Sequence, residues 1–192
     1  MARFDKEAFL QAEYTDALDT ERTLFPMGEY VAEQIESFEI VDPKPFVDEK
    51  TGAQKDGSPQ LSLRLLVRED HAVRVREQFG YPADRPVYCS TRFFLDIDQE
   101  TGWLEFGPNK NIDLGKIRAA LGQNDPGVRW SFTNLKGAGP IAFVVKHEKW
   151  EKNGKEGTSE RISGWASVED MEEAKRKAAE AEENKPAKGK KK

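Results

Sequence analysis

The chain has 192 residues, 37% hydrophobic and 34% charged, with a mean hydropathy of −0.76. Such a length suits one domain with appendages, the polarity excludes a chain packed throughout, and no apolar run nears the roughly 20 residues that cross a bilayer. The formal net charge of −5 is unevenly spread: residues 1–50 hold 13 acids and 5 bases, a net of −8, whereas residues 51–166 hold 15 acids and 17 bases, a net of +2, so an acidic whole does not exclude a polyanionic ligand for the central segment.

Residues 1–24 read as an acidic arm that packs on the domain by a few of Phe4, Phe9, Leu10, Tyr14 and Leu18. Its acids, among them Asp5, Glu7 and Glu13, do not make a signal peptide, so a cytoplasmic setting is expected. Pro26 and Gly28 punctuate, and residues 30–41 form a first strand. Val31 and Ile35 fall on one parity and Phe38 and Ile40 on the other, which predicts a bulge or bend near Ser37. Residues 42–59, with three prolines and two glycines, read as a long exposed loop. The second strand, 59–68, turns Leu61, Leu63, Leu65 and Val67 inward.

A short helix is predicted within 69–85, with Ala72, Val75 and Phe79 at helical spacing before Gly80 and Pro82. The third strand, 87–97, faces Val87, Cys89, Thr91, Phe93 and Leu95 inward by apolar weight; Cys89 has no partner in the chain and reads as a buried, inert thiol. Residues 111–121 form a second helix, capped by Asn111 or Asp113 and stopped by Gly122. The fourth strand is 141–150, the fifth 160–166, and Asn153-Gly154 signals a turn in the connection between them. Ser167 caps a last helix, 167–184, polar all round and expected to project into solvent, and the lysine-rich residues 185–192 read as disordered.

Three strands, a helix and two more strands give the expected fold: mainly β, a five-stranded Greek-key barrel over 25–166 with a helix between strands three and four, followed by the C-terminal helix. On its outer face lie Arg64, Arg68, Tyr88, Arg92 and Phe94 from strands two and three, with Lys146 and Trp150 from strand four. Cations that pair with phosphates beside rings that stack on bases are the means by which single strands are held. The loop after strand four adds Lys149, Lys152 and Lys155 around Trp150, whereas in the loop after strand one the acids Asp48, Glu49 and Asp56 make Lys44, Phe46, Lys50 and Lys55 better read as a solvated segment. The alternative is that Phe94, Leu66 and Val144 dock the N-terminal arm or a second subunit, leaving the arginines as a solvated rim.

Enzymatic readings find little to build on. His71 and His147 are the only histidines and have no metal-ligand spacing, Gly137-Ala138-Gly139 lacks the Lys-Ser/Thr of a phosphate loop, and Asp96 with Asp98 are ordinary turn acids. A binding protein without catalytic centre or cofactor is expected.

The pieces Phe25-Pro26-Met27-Gly28-Glu29-Tyr30, the helix at 110–122, Leu135-Lys136-Gly137 and Glu160-Arg161-Ile162 resemble a family of bacteriophage proteins encoded near replication and recombination genes and thought to bind single-stranded DNA with an oligonucleotide-binding fold. The likeness spans 25–165 in order of elements. It implies a phage-encoded protein of the host cytoplasm that coats single-stranded DNA with little sequence preference, with replication or recombination proteins as partners. A homodimerising or protein-docking accessory on the same barrel is the alternative. The chain departs from many single-strand-binding proteins in ending Lys188-Gly189-Lys190-Lys191-Lys192 rather than in an acidic, hydrophobic-tipped tail.

Overall fold

The computed structural model describes residues 23–48, 51–55, 57–98, 100–152 and 154–183, so the expectations for the first 22 residues of the arm and for the lysine tail lie outside the described residues. Strand β4 (Gln60–Val67) is the simplest element to derive. Its leucines at 61, 63 and 65 and Val67 are buried, and Gln60, Ser62, Arg64 and Leu66 take the opposite face. Each leucine so buried contributes roughly 1.5–3 kcal/mol. Strand β5 (Tyr88–Phe94) pairs antiparallel with it, setting Phe93 opposite Leu61, Thr91 opposite Leu63 and Cys89 opposite Leu65. The inward face of β5 is the one expected.

Strand β1 (Gly28–Val41) runs along the other edge of β4 and has register shifts between Ala32 and Gln34 and between Ile35 and Ser37. The second shift is the bulge expected near Ser37: it lets Ile35 and Phe38 share one face although they lie three positions apart. The start of β1 pairs with β6 (Ile141–Lys152), which pairs with β7 (Lys155–Ala166). Two short strands, β2 (Phe46–Val47) and β3 (Gln54–Lys55), pair with each other in the connection from β1 to β4, which is therefore not a bare loop.

The main sheet is antiparallel, in the order β5-β4-β1-β6-β7. β6 thus returns after a long connection to lie beside β1, the Greek-key order. Closure does not follow. β5 and β7 are the two edges and are not hydrogen-bonded to each other, so the sheet is open and the closed barrel expected from the sequence is not made. β7 has a register irregularity opposite Val144 and Val145, and Glu160 and Arg161 precede it on that strand, features that keep an edge from pairing.

Helix α1 (Glu69–Phe79) buries Ala72 and Val75 and ends at Gly80 in the left-handed conformation. Arg76, on the same helix, grips Glu69 at 2.6 and 2.8 Å and the Arg85 carbonyl at 2.8 Å, pinning the return to β5. Helix α2 (Ile112–Ala120) buries Leu114 and Ile117. Its start is not capped as expected: Asn111 has φ 48° and its side chain bonds Asp96 N, Asp96 O and Glu105 O at 2.8–3.0 Å, tying the helix to the end of β5.

The core between the inner sheet face and these helices includes Tyr30, Ile35, Leu63, Leu135 and Phe143, with Tyr30 stacked on Phe143 at 5.5 Å. The glycine pair at 137 and 139 proves structural: Gly137 N donates to Ile35 O and Ile35 N to Ala138 O, both at 2.8 Å, and a Cβ on Gly139 would strike the Glu33 carbonyl. Helix α3 (Val168–Glu183) begins as expected, Ser167 Oγ accepting from Asp170 N at 3.0 Å. It does not simply project into solvent. Met171 is buried on Val31 and Ala142, and Lys175 reaches Glu29 at 3.1 Å, so its first turns dock on the outer face of β1 and β6. Among the described residues no helix is long and apolar enough to cross a membrane.

Candidate nucleic-acid interface

The β4–β5 register sets Ser62 opposite Arg92, Arg64 opposite Ser90 and Leu66 opposite Tyr88, so Arg64, Tyr88, Arg92 and Phe94 share the outer face. Alternation along two paired strands permits only that, given the leucines inside. The Arg64 guanidinium lies 3.8 Å from the centre of the Tyr88 ring, a cation–π contact that holds both groups on the surface. Phe94 is 66% exposed, a large apolar ring left to solvent at the end of β5.

Lys44 and Phe46 come to the same place. Phe46, 52% exposed, and Lys44 line one groove of about 450 Å³ with Arg92, Phe94, Gln60 and Ser58. Two exposed rings and two cations therefore face a common concavity, and among the described residues neither Arg92 nor Lys44 has an ion-pair partner. The segment that reads in the sequence as a solvated loop supplies half of this groove. Its folding back on the β2–β3 pair, with Asp48 Oδ1 accepting from Thr51 N at 3.1 Å, uses one of the acids that had argued for plain solvation. Lys50 lies outside the described residues.

The other expected site residues are elsewhere. Arg68 is held by Asp70 through two hydrogen bonds of 2.8 and 2.7 Å, and that guanidinium holds the Asp70 carboxyl down to about 2. It is neutralised locally. Lys146 stands on β6, opposite Arg161 of β7, with β4 and β1 between it and β5 in the sheet. Lys149, Trp150 and Lys152 belong to the β6–β7 ribbon rather than to a loop, since pairing continues to Lys152 opposite Lys155. The Trp150 ring lies over Gly157, where a Cβ would collide with it, and Glu151 and Glu156 line the same concavity as Lys149. Lys149 and Trp150 line a different concavity from the one that Phe94 lines with Lys44 and Phe46.

Around the open edge, however, the molecule brings together residues that alternation alone does not connect. Arg92 of β5 and Arg161 of β7 line one cavity across the unpaired seam, and Lys146 is the cross-strand neighbour of Arg161. The signal for Arg161 was its outward parity opposite Lys146; which strand it would face was not readable. Arg161 leans on Glu148 at 3.4 Å, both groups well exposed. An exposed pair of this kind contributes little.

Cys89 is buried, and burial, with the Glu160 carboxylate nearby, pushes its thiol up to about 12, so it is no nucleophile at neutral pH. His147 Nε2 lies 2.8 Å from the Phe25 carbonyl oxygen, tying β6 to the segment before β1. Among the described residues no three histidine, cysteine or carboxylate side chains are grouped so as to hold a metal ion. Compared with known proteins, the chain matches no family model and no curated sequence.

Proposed function

We propose that the protein binds single-stranded DNA, with little overall sequence preference and without turnover, in phage replication or recombination. The observation that carries this reading is the groove where Lys44 and Phe46 meet Arg92 and Phe94. Phosphates pair with the cations and bases stack on the rings, each stack contributing roughly 1–3 kcal/mol, and stacking does not distinguish bases strongly. The Greek-key strand order and the helix between β5 and β6 support an oligonucleotide-binding barrel as the fold, with the β5–β7 seam left open. The phage setting rests on the resemblance in element order.

Fluorescence anisotropy of labelled oligo-dT tests it. Binding at low salt is expected to weaken steeply and log-linearly as salt rises, because each neutralised phosphate releases counterions. Absence of binding at low salt contradicts the proposal. A second reading, a protein or second copy docked on the same face, is favoured by the exposed rings there, Phe94 at 66% and Phe46 at 52% exposure. Concentration-dependent mass in light scattering, abolished by Phe94→Ser, would support that reading instead.

A further inference from the structure

The seam between β5 and β7 opens into a cavity of about 500 Å³, bounded on its third side by the start of α2. It lies within the roughly 300–1,000 Å³ of small-ligand sites. Its lining is sorted by chemistry. Phe93, Ile162 and Trp165 give an apolar, partly aromatic wall; Arg92 and Arg161 bring two guanidinium groups; and Asp113, in the first turn of α2, brings a carboxylate. Asp96 and Asn111 also reach it but are occupied with each other: Asp96 Oδ2 accepts from Asn111 N at 2.8 Å, and Asn111 Oδ1 accepts from Asp96 N at 2.9 Å. Asp113 has no hydrogen bond or ion pair among the described residues, which leaves its oxygens to a ligand.

An apolar wall with aromatic rings, cations and a carboxylate acceptor are what one nucleotide requires: a face for the ring, a partner for the phosphate, and a group that reads the edge. The cavity also adjoins the groove proposed above, because Arg92 and Phe94 line both. Resting on the single-strand reading, we propose that this seam cavity takes one unstacked base of the bound strand and prefers guanine. The chemistry of the acceptor sets the preference. A carboxylate offers only acceptors, and guanine alone presents two adjacent N–H donors, N1–H and the 2-amino group, on its pairing edge. Adenine and cytosine offer one amino donor each. Thymine offers one imino N–H between two carbonyl oxygens that repel the carboxylate. A strand that stacks indifferently in the Phe46–Phe94 groove is thereby registered by a single guanine in the seam.

The test uses the full chain and three labelled oligonucleotides: oligo-dT, the same strand with one central guanine, and the same strand with inosine there, which lacks the 2-amino group. The guanine strand is expected to bind roughly tenfold or more tightly than oligo-dT, the order that one bidentate pair provides, with inosine between. Asp113→Asn, equal in size, is expected to abolish the guanine advantage while keeping oligo-dT affinity. Because inosine alters the ligand alone, its result does not depend on how the variant folds. Equal binding of all three strands, or a guanine advantage that survives Asp113→Asn, overturns the seam site while leaving single-strand binding standing. Failure to bind any of the three overturns both.

Discussion

The groove at the end of β5 and the ribbon of β6–β7 are built from the same residue types, yet only the groove draws two exposed rings and two cations into one concavity. At the groove, Arg92 and Lys44, without an ion-pair partner among the described residues, stand with Asp42 beside two exposed rings, and the chain folds back to make a concavity. On the ribbon, the Trp150 ring is spent on covering Gly157, and Lys149 and Lys152 alternate with Glu148 and Glu151 along an extended pair of strands. Trp150 is 46% exposed, so exposure alone does not separate the two places. Convergence does: a stack and a phosphate contact help each other only when one strand can reach both.

That contrast is open to breakage at several points. The largest effect is expected from Phe94→Ala, which removes a stacking ring worth roughly 1–3 kcal/mol and weakens oligo-dT binding about 5- to 150-fold in an anisotropy titration. Phe46→Ala should weaken it on the same scale. If it does not, the segment holding β2 and β3 is only a solvated connection, as its sequence suggests. Arg92→Ala should lower the slope of log affinity against log salt by about 1, one phosphate contact fewer, whatever the oligonucleotide sequence. Trp150→Ala is expected to cost about threefold or less, and a larger loss would return the ribbon to the site.

Arg68→Ala is expected to leave DNA affinity unchanged, because Asp70 already holds that guanidinium. Its effect belongs to acid stability. The pair lowers the Asp70 carboxyl to about 2 in the folded protein, so the stability it supplies is fully present above the unfolded-state value near 4 and is lost as pH falls toward 2. Urea midpoints of the wild type should therefore fall more steeply with acid over that window than those of Arg68→Ala. Parallel curves would show that the pair contributes nothing measurable, the usual fate of an exposed ion pair.

Features governed by local alternation were legible before any coordinates. The leucines of β4, the inward set of β5 and the bulge before Ser37 all follow from period-two side-chain geometry, which a single strand displays on its own. The seam was not legible, since whether β5 and β7 bond or merely face each other depends on sheet curvature and on side chains at both edges. Arg161 was missed for that reason. Arg68 was misjudged because a cation's availability is decided by its neighbours, here an aspartate two positions on, and not by the face it leaves from. A single buried methionine in a helix of charges anchors α3, a signal too small to distinguish docking from projection. Lys44 and Phe46 join Arg92 only because their connection doubles back, a path that its prolines and glycines allow but do not specify.

The most direct measurement compares two double variants by oligo-dT affinity at low salt: Arg92→Ala with Phe94→Ala, and Lys149→Ala with Trp150→Ala. Convergence in the β5 groove predicts a loss of about a hundredfold in the first, a phosphate contact and a stack together, and no more than about threefold in the second. Equal losses, or a greater loss on the ribbon, would contradict it.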